Sequence, residues 1–175
     1  MNKLWMRCAI AFGTAAAVTT VLVAARTAVA KTYRVSAATC LPENPVYLSM
    51  YDDALTNMDT SHLLDVDCAV PDGDYLAHDQ IAYLNVHGYN GSNVTTGTTG
   101  WAMAEACVGF YASNSGSCGS IASTGAPNTG MFTLQPSLTA WQNPSYHSDF
   151  AYVWSRIPPR GTGARSNLRG IWMSN

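Results

Sequence analysis

The sequence predicts an all-β fold, a jelly-roll-like Greek-key β-sandwich of seven or eight strands, and three observations favour it. Apolar and polar residues alternate with a period of two, which is typical of half-buried strands. Clusters of turn-forming residues interrupt these stretches at intervals of roughly ten to twenty residues. Four of the five cysteines lie beyond residue 30, where two disulfides would brace such a domain. A small β-barrel built from similar strands is the alternative.

Two segments alternate most clearly, residues 80–89 and residues 101–112. In the first, Leu84 and Val86 share one face, and the polar and aromatic side chains share the other. In the second, alternate alanines and Val108 share one face, opposite Met103 and Glu105. Further strands are expected at residues 63–70, 117–123, 130–135, 149–157 and 167–173.

The segment around residue 50 does not alternate. Asn44 followed by Pro45 is typical of a helix cap and a first-turn proline. A helix beginning there would place four large side chains on one face, namely Leu48, Tyr51, Leu55 and Met58. We expect a short helix or an irregular turn here, with residues 54–57 as a possible short strand.

The first thirty residues have the organisation of a secretory signal. Lys3 and Arg7 precede an uncharged run over residues 8–25, and residues 28–30 offer the small side chains that a signal peptidase reads. Cleavage before Lys31 would leave residues 31–175 as a single disulfide-bonded β domain, secreted or periplasmic. The competing interpretation is a membrane anchor, but the run is rich in Ala and Thr. We therefore expect no membrane span after signal cleavage.

The charge distribution argues against nucleic acid as a partner. Three of the nine basic residues precede the predicted cleavage site, so six remain against eleven acidic residues, a net charge of −5. No Lys or Arg lies between Arg34 and Arg156, whereas phosphate binding needs clustered cations. Four arginines lie near the C-terminus, namely Arg156, Arg160, Arg165 and Arg169. We favour the interpretation that they are counter-charges for the acidic body of the domain; the alternative is an anion-binding patch.

The cysteine count is even once Cys8 is removed with the signal, which indicates two disulfides in an exported chain. Three pairings are possible. We favour Cys40 with Cys68 and Cys107 with Cys118, because each pair is close in sequence and the second encloses a turn-rich segment. A thiol nucleophile at Cys118 is the alternative, and it would need a free sulfur and a partner base.

Catalytic and metal-binding motifs are weak. The sequence has no Gly-x-Ser-x-Gly, no zinc-type spacing, and four histidines without motif context: His62, His78, His87 and His147. A secreted hydrolase is therefore the least favoured function, and we expect no cofactor. Calcium is the one ion that the sequence could accommodate, because five aspartates crowd around Gly73. A solvated acidic loop is the commoner explanation for this group, which comprises Asp65, Asp67, Asp72, Asp74 and Asp79.

One group of side chains suggests a ligand-binding face. The outward set of one strand, with Trp101 and Glu105 on the next, would supply aromatic rings and hydrogen-bonding groups for a glycan or a protein. The outward set is Tyr83, Asn85, His87 and Tyr89. We expect the two strands to pair because they follow each other in the chain; the alternative is that this stripe lies in the core. The favoured function is a non-enzymatic secreted binding domain, followed by a structural or assembly subunit of an extracellular layer.

Short motifs along most of the chain after residue 30 carry a resemblance. They are Cys40-x-Pro42, Ala54-Leu55-Thr56-Asn57, Val66-Asp67-Cys68-x-Val70-Pro71, Ala106-Cys107, Gly116-x-Cys118-Gly119, Leu134-x-Pro136, Trp141, Ile157-Pro158 and Ser166-x-Leu168-x-Gly170-Ile171. This pattern resembles a group of small exported bacterial proteins with no assigned activity. The resemblance implies an exported, disulfide-bonded β domain and brings no catalytic residues. Ala69 departs from it, since that group more often has Pro there.

Overall fold

Two antiparallel sheets pack face to face in a computed structural model that describes residues 30–71, 73, 75–94, 97–125, 129–162 and 164–175. The predicted β-sandwich is confirmed, and the described strands do not close into a barrel. In chain order the strands are β1 (Thr32–Ser36), β2 (Leu41–Pro42), β3 (Leu48–Tyr51), β4 (Ala54–Asn57), β5 (Leu64–Ala69), β6 (Tyr83–Asn90), β7 (Met103–Gly109), β8 (Gly116–Cys118), β9 (Ala122–Ser123), β10 (Gly130–Leu134), β11 (Phe150–Ile157) and β12 (Ser166–Ser174).

Sheet A has the strand order β10-β6-β12-β4-β3, and β1 also pairs with β12. Sheet B has the order β2-β5-β11-β7-β8, and β9 also pairs with β7. The chain stays within one sheet only from β3 to β4 and from β7 through β8 to β9, and every other connection between consecutive described strands passes from one sheet to the other. Strands adjacent in sequence therefore often lie in opposite sheets.

The described residues form twelve strands, where the sequence predicted seven or eight. The additional strands are short ones: β1, β2 and β3 were not predicted, and the segment expected at residues 117–123 divides into β8 and β9. Asn44 does cap a turn, accepting a hydrogen bond from the Val46 amide, but the turn is a single 3-10 turn over Pro45–Tyr47. The helical face predicted beyond it is wrong, because β3 and β4 form a hairpin there. The other 3-10 turns span Ala37–Thr39, His78–Gln80 and Pro144–Tyr146.

The core lies between the sheets and follows the alternation of the strands. Leu84 and Val86 of β6 are buried against sheet B, whose β7 contributes Ala104, Ala106 and Val108. The small alanines allow a close approach of the sheets, and Trp141 belongs to the same core cluster. Its side chain is fully buried, and its indole Nε1 donates a 2.8 Å hydrogen bond to the Cys107 carbonyl oxygen. Burial of a tryptophan with its N–H satisfied contributes both apolar area and orientation.

The disulfides are Cys40–Cys68 and Cys107–Cys118, as predicted. Cys40 ends the 3-10 turn that follows β1 of sheet A, and Cys68 lies on the inner face of β5, so this bond links the two sheets. Cys107 and Cys118 are directly opposite each other on β7 and β8. Two disulfides indicate folding in an oxidising compartment.

Asn57 provides a second link between the sheets. Its fully buried side chain donates hydrogen bonds to three carbonyl oxygens, those of His62, Ile157 and Pro158, and accepts one from the Asp59 amide. Asn57 ends β4 of sheet A, and Ile157 ends β11 of sheet B. The amide therefore satisfies backbone groups that the sheets leave unpaired at this edge.

The predicted signal falls on residues that are almost entirely outside the described ranges, and its cleavage remains a prediction. Over residues 30–175, within those ranges, no helix has the length and apolar character needed to cross a membrane.

Candidate functional site

The outer face of sheet A carries a grid of polar and aromatic side chains. Register places Arg34 of β1 opposite Trp172 of β12, and Trp172 opposite Asn85 of β6. In the next row Ser36 lies opposite Gly170, and Gly170 lies opposite His87. Side chains directly opposite each other on one face are within about 5.5 Å at Cβ. The two rows therefore form one continuous surface across three strands.

A β-bulge in β12 shapes this surface. The register between β12 and β6 shifts between Leu168 and Gly170, at the point where β12 exchanges its neighbour β4 for β1. A Cβ on Gly170 would lie 2.7 Å from the Val35 carbonyl oxygen, so only glycine fits without displacement. Gly170 lines a depression in this face, which also borders the half-buried Trp172.

The turn between β3 and β4 forms one wall of this depression. Asp52 and Asp53 both have positive φ, 49° and 59°, as the central residues of a two-residue hairpin turn require. Aspartate tolerates this conformation better than most residues. Beside them Tyr51 is exposed, and the Arg165 guanidinium lies 5.1 Å from the centroid of its ring. The result is a groove of about 1030 Å³ with a polar and aromatic floor.

Hydrogen bonds orient two of the floor side chains. Gln135 Nε2 donates to Asn85 Oδ1 at 2.9 Å, and His87 Nδ1 lies 3.1 Å from Thr133 Oγ1. Arg34 and Arg169, which also line the groove, are exposed, and within the described ranges neither forms an ion pair or a side-chain hydrogen bond. The groove thus combines oriented amide and imidazole groups with two exposed guanidinium groups.

The structure brings four of the six predicted ligand-binding residues together. Tyr83, Asn85, His87 and Tyr89 all face outward from β6, which places them on one stripe about 20 Å long. Asn85 and His87 line the groove, whereas Tyr83, 62% exposed, lines a smaller depression of about 360 Å³ beyond its end. The alternative that this stripe lies in the core is therefore wrong.

Trp101 and Glu105 do not belong to this face, and the prediction that their strand pairs with β6 is wrong. β6 pairs with β10 and β12 in sheet A, whereas β7 pairs with β11, β8 and β9 in sheet B. Glu105 faces outward from sheet B, on the opposite side of the sandwich. Trp101 precedes β7, and its indole Nε1 is buried. The order of the strands in the chain gave the wrong pairing because the chain passes from sheet A to sheet B between residues 90 and 103.

The outer face of sheet B has its own acidic group, and here the carboxylates are crowded or paired. Arg156 donates two hydrogen bonds to Asp65, of 2.7 and 2.8 Å, and its guanidinium lies 5.0 Å from the Trp154 ring centroid. Trp154 lies between Asp67 of β5 and Glu105 of β7. Burial raises the pKa of Asp67, with a further contribution from the Asp65 charge, and burial also raises the pKa of Glu105 against the opposing effect of Arg156.

The calcium hypothesis finds no support in the described aspartates. Asp65 is bound by Arg156, and Asp79 lies 3.6 Å from His147 Nε2. Asp72 and Asp74 lie outside the described residues. Across the described ranges the only close group of three potential metal-ligating residues is Glu105, Cys107 and Cys118, but both sulfurs are consumed by the disulfide. That bond also removes Cys118 as a thiol nucleophile.

One histidine has neighbours of the catalytic-triad type, but their arrangement is that of a turn. Ser61 Oγ and Asp59 Oδ1 both approach the same nitrogen of His62, Nδ1, at 3.1 and 3.0 Å. A triad needs the hydroxyl on one ring nitrogen and the carboxylate on the other. Asp59 instead accepts hydrogen bonds from the Ser61 and His62 amides, which hold its pKa well below its usual range. His62 also stacks on Tyr47, with ring centroids 4.8 Å apart.

Sequence reasoning missed the residues at the centre of the groove. Trp172 and Gly170 lie in a strand that was predicted, but neither was assigned to a site. A usable signal was present: the strands that form this floor contain Arg34, Arg169 and Trp172 but no acidic residue. No protein-family model, curated protein or solved structure matches the chain.

Proposed function

We propose that this protein is a non-catalytic secreted domain that binds a carbohydrate in the groove on the outer face of sheet A. The observation that carries the proposal is the row Arg34, Trp172 and Asn85 beside the gap at Gly170. A half-buried indole offers an apolar surface to a sugar ring, while amide and guanidinium groups beside it hydrogen-bond to the ring substituents. Gln135 fixes the Asn85 amide before any ligand arrives.

The position of His87 supports the same use. It lies across from Gly170, on the floor of the gap, with its Nδ1 beside Thr133 Oγ1. A ring seated over Gly170 would have His87 on one side and Ser36 on the other, and both can hydrogen-bond to hydroxyl groups. Binding grooves typically combine a few oriented polar groups with an aromatic surface.

Binding to immobilised polysaccharides tests the proposal. The protein exported from the full-length chain is applied to a panel that includes neutral and acidic polymers, and retention is compared with that of the Trp172→Ala variant. We expect retention on at least one polymer and its loss in the variant. Trp154→Ala is the matched control, because Trp154 is also a half-buried, outward-facing tryptophan, on the opposite sheet. Equal loss in both variants, or retention of neither wild type nor variant on any polymer, would contradict the proposal.

A structural or assembly subunit of an extracellular layer is the second candidate, and the edge of sheet A favours it. β10 is an edge strand of five residues without a charge, and its Met131 is 62% exposed. Uncharged edge strands can pair with another chain. Sedimentation analysis tests this: assembly through the edge would be concentration-dependent and reduced by Met131→Lys. A monomer at all concentrations would exclude it.

A further inference from the structure

Charge is divided unequally between the strands of this acidic domain. β1, β6, β10 and β12, which form the floor of sheet A and its β10 edge, contain Arg34, Arg169 and no acidic residue. On sheet B, β5 and β7 together contain Asp65, Asp67 and Glu105. A domain whose predicted mature charge is −5 therefore presents a positively charged floor at one groove.

The two groove arginines differ from the other arginine that lies on a strand. Arg156 is held by both oxygens of Asp65, whereas Arg34 and Arg169 have no such partner anywhere in the described part of the chain. A guanidinium group pairs most strongly with a carboxylate in a two-hydrogen-bond geometry. Neither groove arginine has that partner among the described residues, and both are exposed at the site where a ligand would lie.

From these observations we infer that the ligand of the groove is an acidic saccharide whose sugar ring carries a carboxylate, an inference that rests on the proposed function. Arg34 is directly opposite Trp172, about 5 Å away across the strands. A ring stacked on the indole therefore holds its carboxylate within reach of Arg34. Arg169 lies at the bulge beside Gly170, where it meets the substituent of the adjoining ring.

The wall of the groove limits how much negative charge the ligand can carry. Asp52 and Asp53 are exposed at the rim, and their carboxylates accept hydrogen bonds from sugar hydroxyls. The same carboxylates repel a polymer with charge on every face, such as a polyphosphate. A saccharide with one carboxylate per ring satisfies both sides, since its charge faces the arginines and its hydroxyls face the aspartates.

The test compares two polymers with one carboxylate per ring, polygalacturonate and alginate, each with its carboxyl-reduced counterpart, which keeps the rings and loses the charge. Affinity of the exported protein is measured by isothermal titration calorimetry at increasing ionic strength. We expect at least one acidic polymer to bind about tenfold more tightly than its reduced counterpart, with the advantage falling as salt rises. Arg34→Gln and Arg169→Gln should each weaken binding of the acidic polymer about fivefold and weaken binding of the reduced polymer by less than about twofold, because only the acidic polymer loses a charge pair.

Lys31→Gln is the matched control, because it removes the same charge outside the groove, where the ammonium lies 5.6 Å from the Tyr75 ring centroid. Thermal melting checks that each variant remains folded. If acidic and reduced polymers bind equally, the acidic inference is overturned while the carbohydrate-binding function stands. If Lys31→Gln weakens binding as much as the groove variants do, the attraction is non-specific and the inference is overturned. If neither form of any polymer binds and the wider polysaccharide panel is also negative, both fail together.

Discussion

On the outer face of sheet B, Arg156 donates two hydrogen bonds to Asp65 and lies over Trp154. On the outer face of sheet A, Arg34 and Arg169 have no carboxylate partner among the described residues, and Trp172 borders an open groove. Both faces present an outward tryptophan on a central strand with an arginine nearby. They differ in whether the arginines are already paired with a carboxylate among the described residues.

This difference separates residues that stabilise the fold from residues that are available for a ligand. A paired and packed arginine contributes to the free energy of unfolding, and its replacement leaves a carboxylate without its partner. An unpaired, exposed arginine contributes little to stability, since surface substitutions usually change it by less than about 0.5 kcal/mol. In the proposed function such an arginine contributes to ligand binding.

The largest effect expected is the loss of the link between the sheets. Replacing both Cys40 and Cys68 with alanine removes a bond that closes 28 residues of sequence separation, which the chain-entropy model values at about 3.5 kcal/mol. Replacing Cys107 and Cys118, with a separation of 11, should cost about 3 kcal/mol. Urea unfolding of the two double variants measures both. A smaller loss for the Cys40 and Cys68 variant than for the other would contradict the ranking.

Replacing Asn57 should cost nearly as much stability as removing the Cys40–Cys68 disulfide, because Asn57 also links the two sheets. Asn57→Ala leaves three buried or half-buried carbonyl oxygens without their donor, and we expect a loss of about 3 kcal/mol in the free energy of unfolding. Asn44→Ala is the control: it removes a 3.3 Å cap on an exposed turn and should cost less than about 1 kcal/mol. Similar losses of stability in both variants would show that the hydrogen bonds of Asn57 between the sheets contribute no more than an exposed cap.

The faces of individual strands were predictable because alternation is local. Leu84 and Val86 point inward and Tyr83 and His87 outward, as the period of two requires. Pairing between strands was not predictable in this way. One neighbour of β6 is β12, which begins 76 residues after β6 ends, and nothing in the sequence of β6 specifies that partner.

Trp172 shows why the centre of the groove escaped prediction. With Leu168 in the core, strict alternation would put Gly170 and Trp172 in the core as well. The bulge inserts one extra residue, so Ile171 and Met173 point inward and Trp172 points outward. A glycine within a strand is a signal for such a bulge. The position of the β3–β4 turn beside it depends on tertiary structure alone.

The contrast between the two outer faces is tested most directly by replacing one arginine on each face with glutamine. Arg156→Gln removes the two hydrogen bonds to Asp65 and should lower the free energy of unfolding by about 1 kcal/mol, since the pair is only partly buried. Arg169→Gln should change it by less than about 0.5 kcal/mol. Urea denaturation at neutral pH measures both. If the two variants lose equal stability, Arg169 has a structural role and the contrast between the faces fails.

The smallest effect expected is a gain in stability on sheet B. Burial, together with the Asp65 charge, raises the pKa of Asp67 above that of the unfolded chain, so the native state binds this proton more tightly. Ionisation of Asp67 therefore lowers the free energy of unfolding as the pH rises from about 4 through the raised native pKa. Above that native pKa the destabilisation is fully present. Asp67→Asn should be more stable than wild type at pH 7, by less than about 1 kcal/mol, and should lose this advantage near pH 3.

Glu105→Gln should gain less stability than Asp67→Asn, because the Glu105 charge also attracts Arg156. Urea unfolding at the two pH values measures the difference, and an Asp67→Asn variant that is less stable than wild type at pH 7 would show that the carboxylate is stabilised by its surroundings.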